Sequence, residues 1–564
     1  MYQPDTSPVA GSLWISALVA TLPLVTVFVL LGVFRLKAHW AGLSGLGVAL
    51  AVAVFGYGMP TDLALLAASE GAVFGLFPIL WIVLTAIWLY QLTVASGRFD
   101  DLRAAFGLLS PDPRIQAIII AFCFGGLLEA LAGFGAPVAI TGMMLVALGF
   151  SALRAATTAL LANTAPVAFG AMAIPIVTAG ELTGIPYEQI GAMVGRQTPL
   201  LALVVPALLV FVVDGRRGLR QAWPAALVTG LAFALAQFVC SNYISVELTD
   251  IVASLVGAAA LVLLLRFWQP AGGDEARDEL DRSGSGQPDS PNAGPDGGGA
   301  PPASTAPTTT LHRERISKSR TLLALLPYLL VIVVFSVVKL VAPLERALAE
   351  FNVEIAWPGL HGAVLSPEGE PVSSTVYDFA WATSPGTLLL LCGIVVTFIY
   401  RVPVRTATRE LINVAVTLRW SALTVASVLA LAYVMNLSGQ TLTVGTWVGG
   451  AGAAFVFLSP VLGWLGVAVT GSDTSSNALF ATLQQAAAGK AGAEPVLLVA
   501  ANSSGGVMGK MISPQNLAIA ASAVQMTGRE SDIFRAAIKW SLGLLLILCV
   551  LVYLQSTVLS WMIP

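Results

Sequence analysis

Ala162–Pro175 reads ANTAPVAFGAMAIP, and Ala501–Pro514 reads ANSSGGVMGKMISP. The two stretches match at Ala162/Ala501, Asn163/Asn502, Gly170/Gly509, Met172/Met511 and Pro175/Pro514, and Thr164/Ser503 keep a hydroxyl. Both lie in otherwise apolar sequence. Upstream of each copy is a second glycine-rich interruption, Gly133-Phe-Gly-Ala-Pro137 in the first half and Thr470-Gly-Ser-Asp-Thr-Ser-Ser-Asn477 in the second. Interrupted hydrophobic segments at matching places in two halves point to the substrate site of a secondary transporter. The expected fold is therefore an all-α polytopic membrane protein built from repeats, each with a broken or re-entrant helical hairpin and a discontinuous transmembrane helix.

Composition agrees. The 564 residues are 57% hydrophobic and 10% charged, with a mean hydropathy of +0.83, whereas a soluble domain carries about 25% charge. Apolar runs long enough to span a bilayer recur along the chain, and the alternating short strands of an outer-membrane barrel are lacking. The first run, Leu13–Phe34, follows Met-Tyr-Gln-Pro-Asp without a basic leader or a small-residue cleavage site, so it reads as a retained span. No basic cluster suits nucleic acid. Cys123, Cys240, Cys392 and Cys549 fall inside apolar runs without CxxC spacing and read as small buried hydrophobes. His39, His312 and His361 lie in or beside loops and form no metal-ligand pattern. No cofactor is expected.

Spans are expected near Leu13–Phe34, Trp40–Tyr57 and Val73–Val94, followed by a broken hairpin near Ile115–Phe150 and a broken span near Leu153–Ala179. Further spans follow near Ala192–Val213, Trp223–Ser241 and Ile251–Phe267. From Pro270 to Thr310 there are 8 Gly and 7 Pro in 41 residues, and Leu280 is the only large aliphatic side chain. Such a stretch buries too little apolar surface to order itself. The chain thus divides into a first transmembrane half, 1–268, a disordered linker, 269–320, and a second half, 321–564. The second half holds spans near Leu322–Val341, Thr387–Tyr400 and Ser421–Met435, a broken hairpin near Val444–Ala488, a broken span near Pro495–Val524 and a last span near Leu542–Trp561. The polar loop Ala342–Ser384 has room for at most a short hairpin.

Loop charges orient the spans. Arg35/Lys37, Arg98/Arg103/Arg114, Arg154, Arg216/Arg217/Arg220, Arg313–Arg320 and Arg401/Arg405/Arg409 mark cytoplasmic sides. The intervening loops are acidic: Asp62 and Glu70, Glu181 and Glu188, Glu247 and Asp250, Glu345 to Asp378. This alternation requires each hairpin to enter and leave on one side. It predicts about 12 crossings, with both termini extracytoplasmic and the linker cytoplasmic. Seven crossings precede the linker, and because seven is odd, the repeats are inverted.

Inside a bilayer a broken helix persists only where it is buried in protein or lines a wet cavity. Glycine costs about 1 kcal/mol and proline about 3 kcal/mol in a helix interior, so Gly133, Gly135 and Pro137 together mark a break. Half-helix N-termini expose N–H groups and positive dipole ends that suit a carboxylate. Beside the breaks, Ser472, Thr474, Ser475, Ser476, Asn477, Asn163, Thr164, Asn502, Ser503 and Ser504 are candidates to bond a substrate hydroxyl or carboxylate. The plainer reading of each is helix-packing glycine and serine; four such sites in repeat register favour function. Ionisable residues at depth are Glu129, Asp473, Lys510 and Arg196. Lys510 stands where the first copy has Ala171, and a lone cation in one half is what a monocarboxylate needs. Against this, Lys510 pairing internally with Asp473 or Glu129 would simply hold the hairpins together, and Arg196 would simply sit near a helix end. A low-dielectric site disfavours a carboxylate's charge, which makes Glu129 and Asp473 the proton-coupling candidates.

These motifs resemble the L-lactate permease family. The resemblance rests on Leu128–Ala139, Ala162–Gly170, Val194–Pro199, Thr470–Asn477, Ala501–Gln515 and Gly528–Arg535, and spans nearly the whole chain except the linker. It implies a bacterial inner-membrane symporter that takes up lactate, and often glycolate, a small 2-hydroxymonocarboxylate, with a proton as coupling ion. Two positions depart from the family pattern: Ala130 stands for a usual glycine and Ala136 for a usual threonine. A missing hydroxyl beside the first break bears on preference among hydroxy acids. The alternatives are a sodium-coupled or dicarboxylate porter of the same architecture, with Arg196 as second cation, and an intramembrane enzyme. The enzyme reading lacks a GxGD aspartyl-protease pattern and a membrane histidine. Oligomeric state is not legible.

Overall fold

The computed structural model describes residues 1–564 except 35, 108, 134, 285–316, 366–371 and 373–374. The first half comprises α1 (Leu13–Val33), α2 (Ala38–Gly56), α3 (Thr61–Ala95), α4 (Arg98–Gly107), α5 (Pro113–Leu131), α6 (Ala136–Ala147), α7 (Ala152–Ala162), α8 (Gly170–Thr183), α9 (Tyr187–Tyr243) and α10 (Thr249–Leu265). After α11 (Gly273–Gly284) come α12 (Lys318–Leu340), α13 (Ala342–Ala349), strands β1 (Val353–Ala356) and β2 (Val376–Phe379), α14 (Pro385–Ile399) and α15 (Val404–Leu437). The chain ends with α16 (Gln440–Gly449), α17 (Ala453–Thr470), α18 (Asp473–Ala491), α19 (Pro495–Lys510), α20 (Pro514–Ala523) and α21 (Glu530–Gln555). Among the described residues, nine helices are long and apolar enough to cross a membrane, or ten if the pair α7–α8, bent by 60°, counts as one span. This is a mostly helical, multi-pass membrane protein.

The apolar runs become helices where expected, and the departures have local causes. α3 starts at Thr61, well before Val73, because Asp62–Ala72 is rich in alanine and leucine. It kinks at Phe77 (φ −140°, ψ 126°), just before Pro78, which cannot donate to the helical ladder. α9 is 57 residues long and folds on itself at Asp214–Gly215, where Gly215 takes φ 59°. Its two arms press together so closely that a Cβ on Gly230 would lie 2.6 Å from the Leu203 carbonyl. The loop after α13 does hold a short hairpin: β1 and β2 pair antiparallel, Val353 opposite Phe379. The N-terminal segment reaches this loop through Tyr2, whose backbone N–H donates to Ala363 O and whose hydroxyl donates to Ser438 O at 2.9 Å. Of the expected disordered linker, 273–284 is helical, with Asp274 and Glu275 favourably placed at its positive end; 285–316 lies outside the described residues.

Two seams position the interior. In the first, Arg114, counted above as a loop cation, is fully buried. Its guanidinium donates to Asp112 (3.0 and 2.6 Å), Asp214 (3.3 Å), Gln221 (2.6 Å) and Ala271 O (2.8 Å). One side chain thereby ties the start of α5, the fold in α9 and the exit of α10. In the second, α17 and α19 cross with backbones almost touching. A Cβ on Gly463 would strike Asn502 O, one on Gly505 would strike Pro460 O, and one on Gly509 would strike Trp464 O. Gly505 and Gly509 are spaced as a small-xxx-small packing face. These three glycines are packing residues.

Removing Arg114 strands two buried carboxylates, a loss on the order of 3–5 kcal/mol for a broken buried pair. Arg114→Ala is expected to lower the melting midpoint in detergent clearly. Arg98→Ala, which breaks the part-exposed Arg98–Asp101 pair, is expected to cost under about 1 kcal/mol. Equal shifts in the two would refute the role given to Arg114.

Candidate substrate site

Four helix starts converge on one place. Gly471 ends α17 in the left-handed conformation (φ 77°), and Ser472 caps α18, its Oγ accepting from Ser475 N at 3.2 Å. Gly135 (φ 86°) precedes α6, with Pro137 in its first turn. Ser513 caps α20, with Pro514 as first residue and Ser513 Oγ accepting from Asn516 N at 3.4 Å. Right-handed helix in α8 begins after the left-handed residues Ala171–Ala173, with Pro175 in its first turn. Residues from all four starts line a cavity of about 60 Å³, together with Glu129, Asp473 and Lys510. The first turns of these helices leave N–H groups without helical acceptors and add their positive dipole ends, a suitable setting for an anion.

At the cavity's centre lies an ion pair. Lys510, the last residue of α19, donates from Nζ to Glu129 Oε1 at 2.6 Å and to Gly133 O at 3.0 Å. Asn163 Nδ2 donates to the other carboxyl oxygen, Glu129 Oε2, at 2.8 Å. Both charged side chains are buried. The room for the carboxyl depends on glycine: a Cβ on Gly133 or Gly170 would lie 2.7 or 2.8 Å from Glu129 Oε1. Among the described residues, Lys510 is the only cation that lines this cavity.

Behind the cavity runs a buried chain of amides and hydroxyls. Ser503 Oγ donates to Asp473 Oδ2 (2.8 Å), and Asn477 Nδ2 donates to Ser503 Oγ and to Pro175 O (both 2.8 Å). Asn502 Nδ2 donates to Asn477 Oδ1 (2.8 Å), and Gln484 is held by Ser459. Asn477 thus stitches α18 to α19 and, through Pro175, to α8. Asp473 Oδ1 has no hydrogen-bond donor among the described residues.

With this geometry in view, relatives can be compared. Residues 16–559 match the family model described as L-lactate permease. The chain belongs to the L-lactate permease family. It is 41% identical to an L-lactate permease of Bacillus subtilis over 99% of each chain. It is 42% identical to the glycolate permease GlcA of Escherichia coli K12, over 100% of this chain and 99% of that one. An L-lactate permease of the same strain is 40% identical over the whole of both chains. Family and relatives are permeases, so this chain is a transporter and not an enzyme.

In this permease the sequence candidates divide into three groups. Glu129, Gly133, Gly135, Ser472, Asp473, Thr474 and Lys510 line the cavity. Asn163 reaches it through Glu129, while Asn477, Asn502 and Ser503 form the chain behind it, and the Ser475 backbone N–H completes the α18 cap. The rest turn away. Thr164 Oγ1 bonds back to Leu161 O (2.6 Å), Ser504 Oγ donates to Gln197 (2.7 Å), and Ser476 Oγ donates to Gly463 O (3.2 Å). Arg196 donates to Asn242 and to Met562 O near the C-terminus and does not line the cavity.

The two copies also break at different points. The first loses α-helix at Asn163 and resumes after a left-handed turn at Ala171–Ala173 (φ 47°, 60° and 57°). The second stays helical through Asn502, Ser503 and Ser504 and stops only after Lys510. The cause is one position: Pro166 in the first copy corresponds to Gly505 in the second, and proline removes a ladder donor whereas a tightly packed glycine does not.

Sequence reasoning did not single out Gly170, Gln515 or Asn516 as site residues, all cavity-lining; the available signal is that Gly170 adjoins Ala171, the counterpart of Lys510, and that Gln515 and Asn516 follow the Ser513-Pro514 helix start. It also placed Glu70 and Asp250 in acidic loops. Both are fully buried in helices, and none of their carboxyl oxygens has a hydrogen-bond donor among the described residues.

If the ion pair is the constraint at this site, removing one member is worse than removing both. Lys510→Met, which leaves Glu129 buried against Asn163 alone, is expected to melt below the Lys510→Met/Glu129→Gln double variant. The reverse order would show that the two charges do not depend on each other.

Proposed function

We propose that this permease imports lactate, glycolate and related 2-hydroxymonocarboxylates together with a proton across the bacterial inner membrane. The observation that carries this reading is the pairing of Lys510, the only cation lining the cavity, with Glu129. A substrate carboxylate takes the place of the Glu129 carboxylate on the Lys510 ammonium, and Glu129 receives the proton. The cavity then holds the same charge before and after loading, which avoids the cost of an unpaired ion in a low-dielectric interior. The helix starts at Ser472 and Ser513 face the substrate's anionic end, and Ser472 and Thr474 are at hand for its 2-hydroxyl. One lining cation suits one carboxylate, which favours a monocarboxylate over a dicarboxylate. Near-equal identity to a lactate and a glycolate permease supports a range that includes both. Ala136, next to the lining residue Gly135, is where a hydroxyl usual in the family is missing.

Access also fits import. A larger cavity of about 540 Å³ lies between the far ends of α8 and α18, lined by Glu181, Tyr433, Asn436, Thr482 and Gln485, with Pro4 and Val364 at its rim. Along α18, Asp473 at the small cavity and Gln485 at the larger one are twelve residues apart, about 18 Å at 1.5 Å per helical residue. The N-terminal segment, Glu181 and the 342–384 loop are all extracytoplasmic by the charge reading, so this cavity is the outer vestibule. We extend the proposal to the topology: 12 crossings, inverted halves, and a linker on the cytoplasmic side.

Purified protein in sodium-free proteoliposomes is expected to take up L-lactate when the outside is made acidic, and to acidify the lumen as it does so. Competition by D-lactate and glycolate is expected to exceed that by succinate. Uptake that needs sodium, or that succinate blocks best, would refute the proposal. Lys510→Ala is expected to abolish substrate binding; normal affinity in the folded variant would remove Lys510 from the site. Glu129→Gln is expected to lose acceleration by an inward proton gradient, and an unaltered pH dependence would count against Glu129 as the coupling group.

A further inference from the structure

Glu129 is enclosed by protein, so a coupling proton needs a route to it. Of the two fully buried carboxyls without a hydrogen-bond donor among the described residues, Glu70 and Asp250, the second stands on a helix packed against α5. Asp250 stands in the first turn of α10, fully buried, and neither of its oxygens has a hydrogen-bond donor among the described residues. An unpaired buried charge in a membrane protein is costly and marks ion and proton pathways. The groups facing Asp250 fit such a role. α10 packs against α5 one turn before Glu129, where a Cβ on Gly126 would lie 2.5 Å from Ser254 Oγ, and α9 contributes Gln237. Gln237 donates from Nε2 to Ala165 O (3.2 Å), within the first-copy break that also carries Asn163, and its Oε1 is unpaired among the described residues. Ser254, one turn along α10 from Asp250, is likewise buried with its Oγ unpaired among the described residues.

The turn before Asp250 is hydrogen-bonded toward the protein surface. The turn that precedes α10 carries Glu247, which accepts from Ser245 Oγ (2.6 Å) and from the Tyr187 hydroxyl (2.9 Å). In the same turn the Ser245 carbonyl accepts from Cys240 Sγ (3.4 Å) and from the hydroxyl of Thr249, the residue before Asp250 (3.1 Å). Tyr187 is part-exposed and Glu188 beside it is exposed. A file of carboxyls thus leads from the Tyr187 surface through Glu247 and Asp250 to Glu129.

We propose that Asp250 is a relay carboxyl that passes the coupling proton from the Glu247 turn to Glu129. The inference rests on Glu129 as the coupling group. In the transfer an O–H bond of neutral Asp250 breaks and an O–H bond forms on the Glu129 carboxylate, which frees the Lys510 ammonium for the substrate. The Asp250 carboxylate then regains a proton from solvent at the Tyr187 end. Asp250 does not itself line the small cavity, so its loss affects proton delivery and not binding.

The test compares wild type with Asp250→Asn in two measurements. Uptake of L-lactate into proteoliposomes driven by an inward proton gradient is expected to fall by about a hundredfold, the lower end of what a positioned proton-transfer group contributes. Stabilisation of the detergent-solubilised protein by L-lactate is expected to persist. Unchanged gradient-driven uptake would overturn the proposal, and so would loss of lactate stabilisation together with uptake, which would make Asp250 a binding or folding residue. If wild type binds lactate but shows no proton drive, the coupling reading fails and the relay with it. If the wild type is proton-driven as expected and the variant equals it, the relay alone fails. Should the asparagine variant not insert, Asp250→Ser gives the same readings.

Discussion

A single ammonium at the end of a helix holds this interior together. Lys510 draws the end of α19 to Glu129 on α5 and to the Gly133 carbonyl at the first break, so one cation bridges the two halves of the chain. Burying both charges is expensive unless their remaining valences are filled, and Asn163 fills one on the carboxyl side. Glycines at 133 and 170 give the carboxyl its space. The broken segments of the two halves meet at this pair and at the hydrogen bond from Asn477 to Pro175 O.

The duplication leaves its two copies unlike in a useful way. The first copy has a proline and unwinds early, presenting backbone and the Asn163 amide to Glu129. The second copy has glycines, stays wound against α17, and delivers a long cationic side chain from its last residue. A repeat thus supplies the frame, and the substitutions within it supply the polarity. The amide chain of Asn477, Asn502 and Ser503 lies on the wound side, where a rigid helix can hold its geometry.

Much of this was legible in the sequence because membranes restrict what a chain can do. Long apolar runs have few alternatives to helix, so the spans were readable, and glycine, proline and charge inside such runs marked Gly133, Lys510, Glu129 and Asp473. What escaped depended on tertiary neighbours. Arg114 reads as an ordinary loop cation until Asp214 and Gln221 are seen around it. Glu70 and Asp250 sit near the ends of apolar runs, where the same carboxyl serves equally in water or under cover. Ser504 and Arg196 carry the right chemistry in the right motifs yet face other helices, because a helical residue's neighbours along the chain do not say which way it turns.

The bare-backbone crossing of α17 and α19 has a mechanical consequence. Where Gly463, Gly505 and Gly509 let carbonyls and Cα atoms meet without side chains between them, there is no compressible layer in which the two helices can slide. Packed interiors shift between discrete arrangements and do not deform smoothly. The second hairpin's α17 therefore travels with Lys510 as one stiff lever, and any change of access between the two sides of the membrane has to be taken up at softer joints, such as the side-chain-lined contact of α8 with α18.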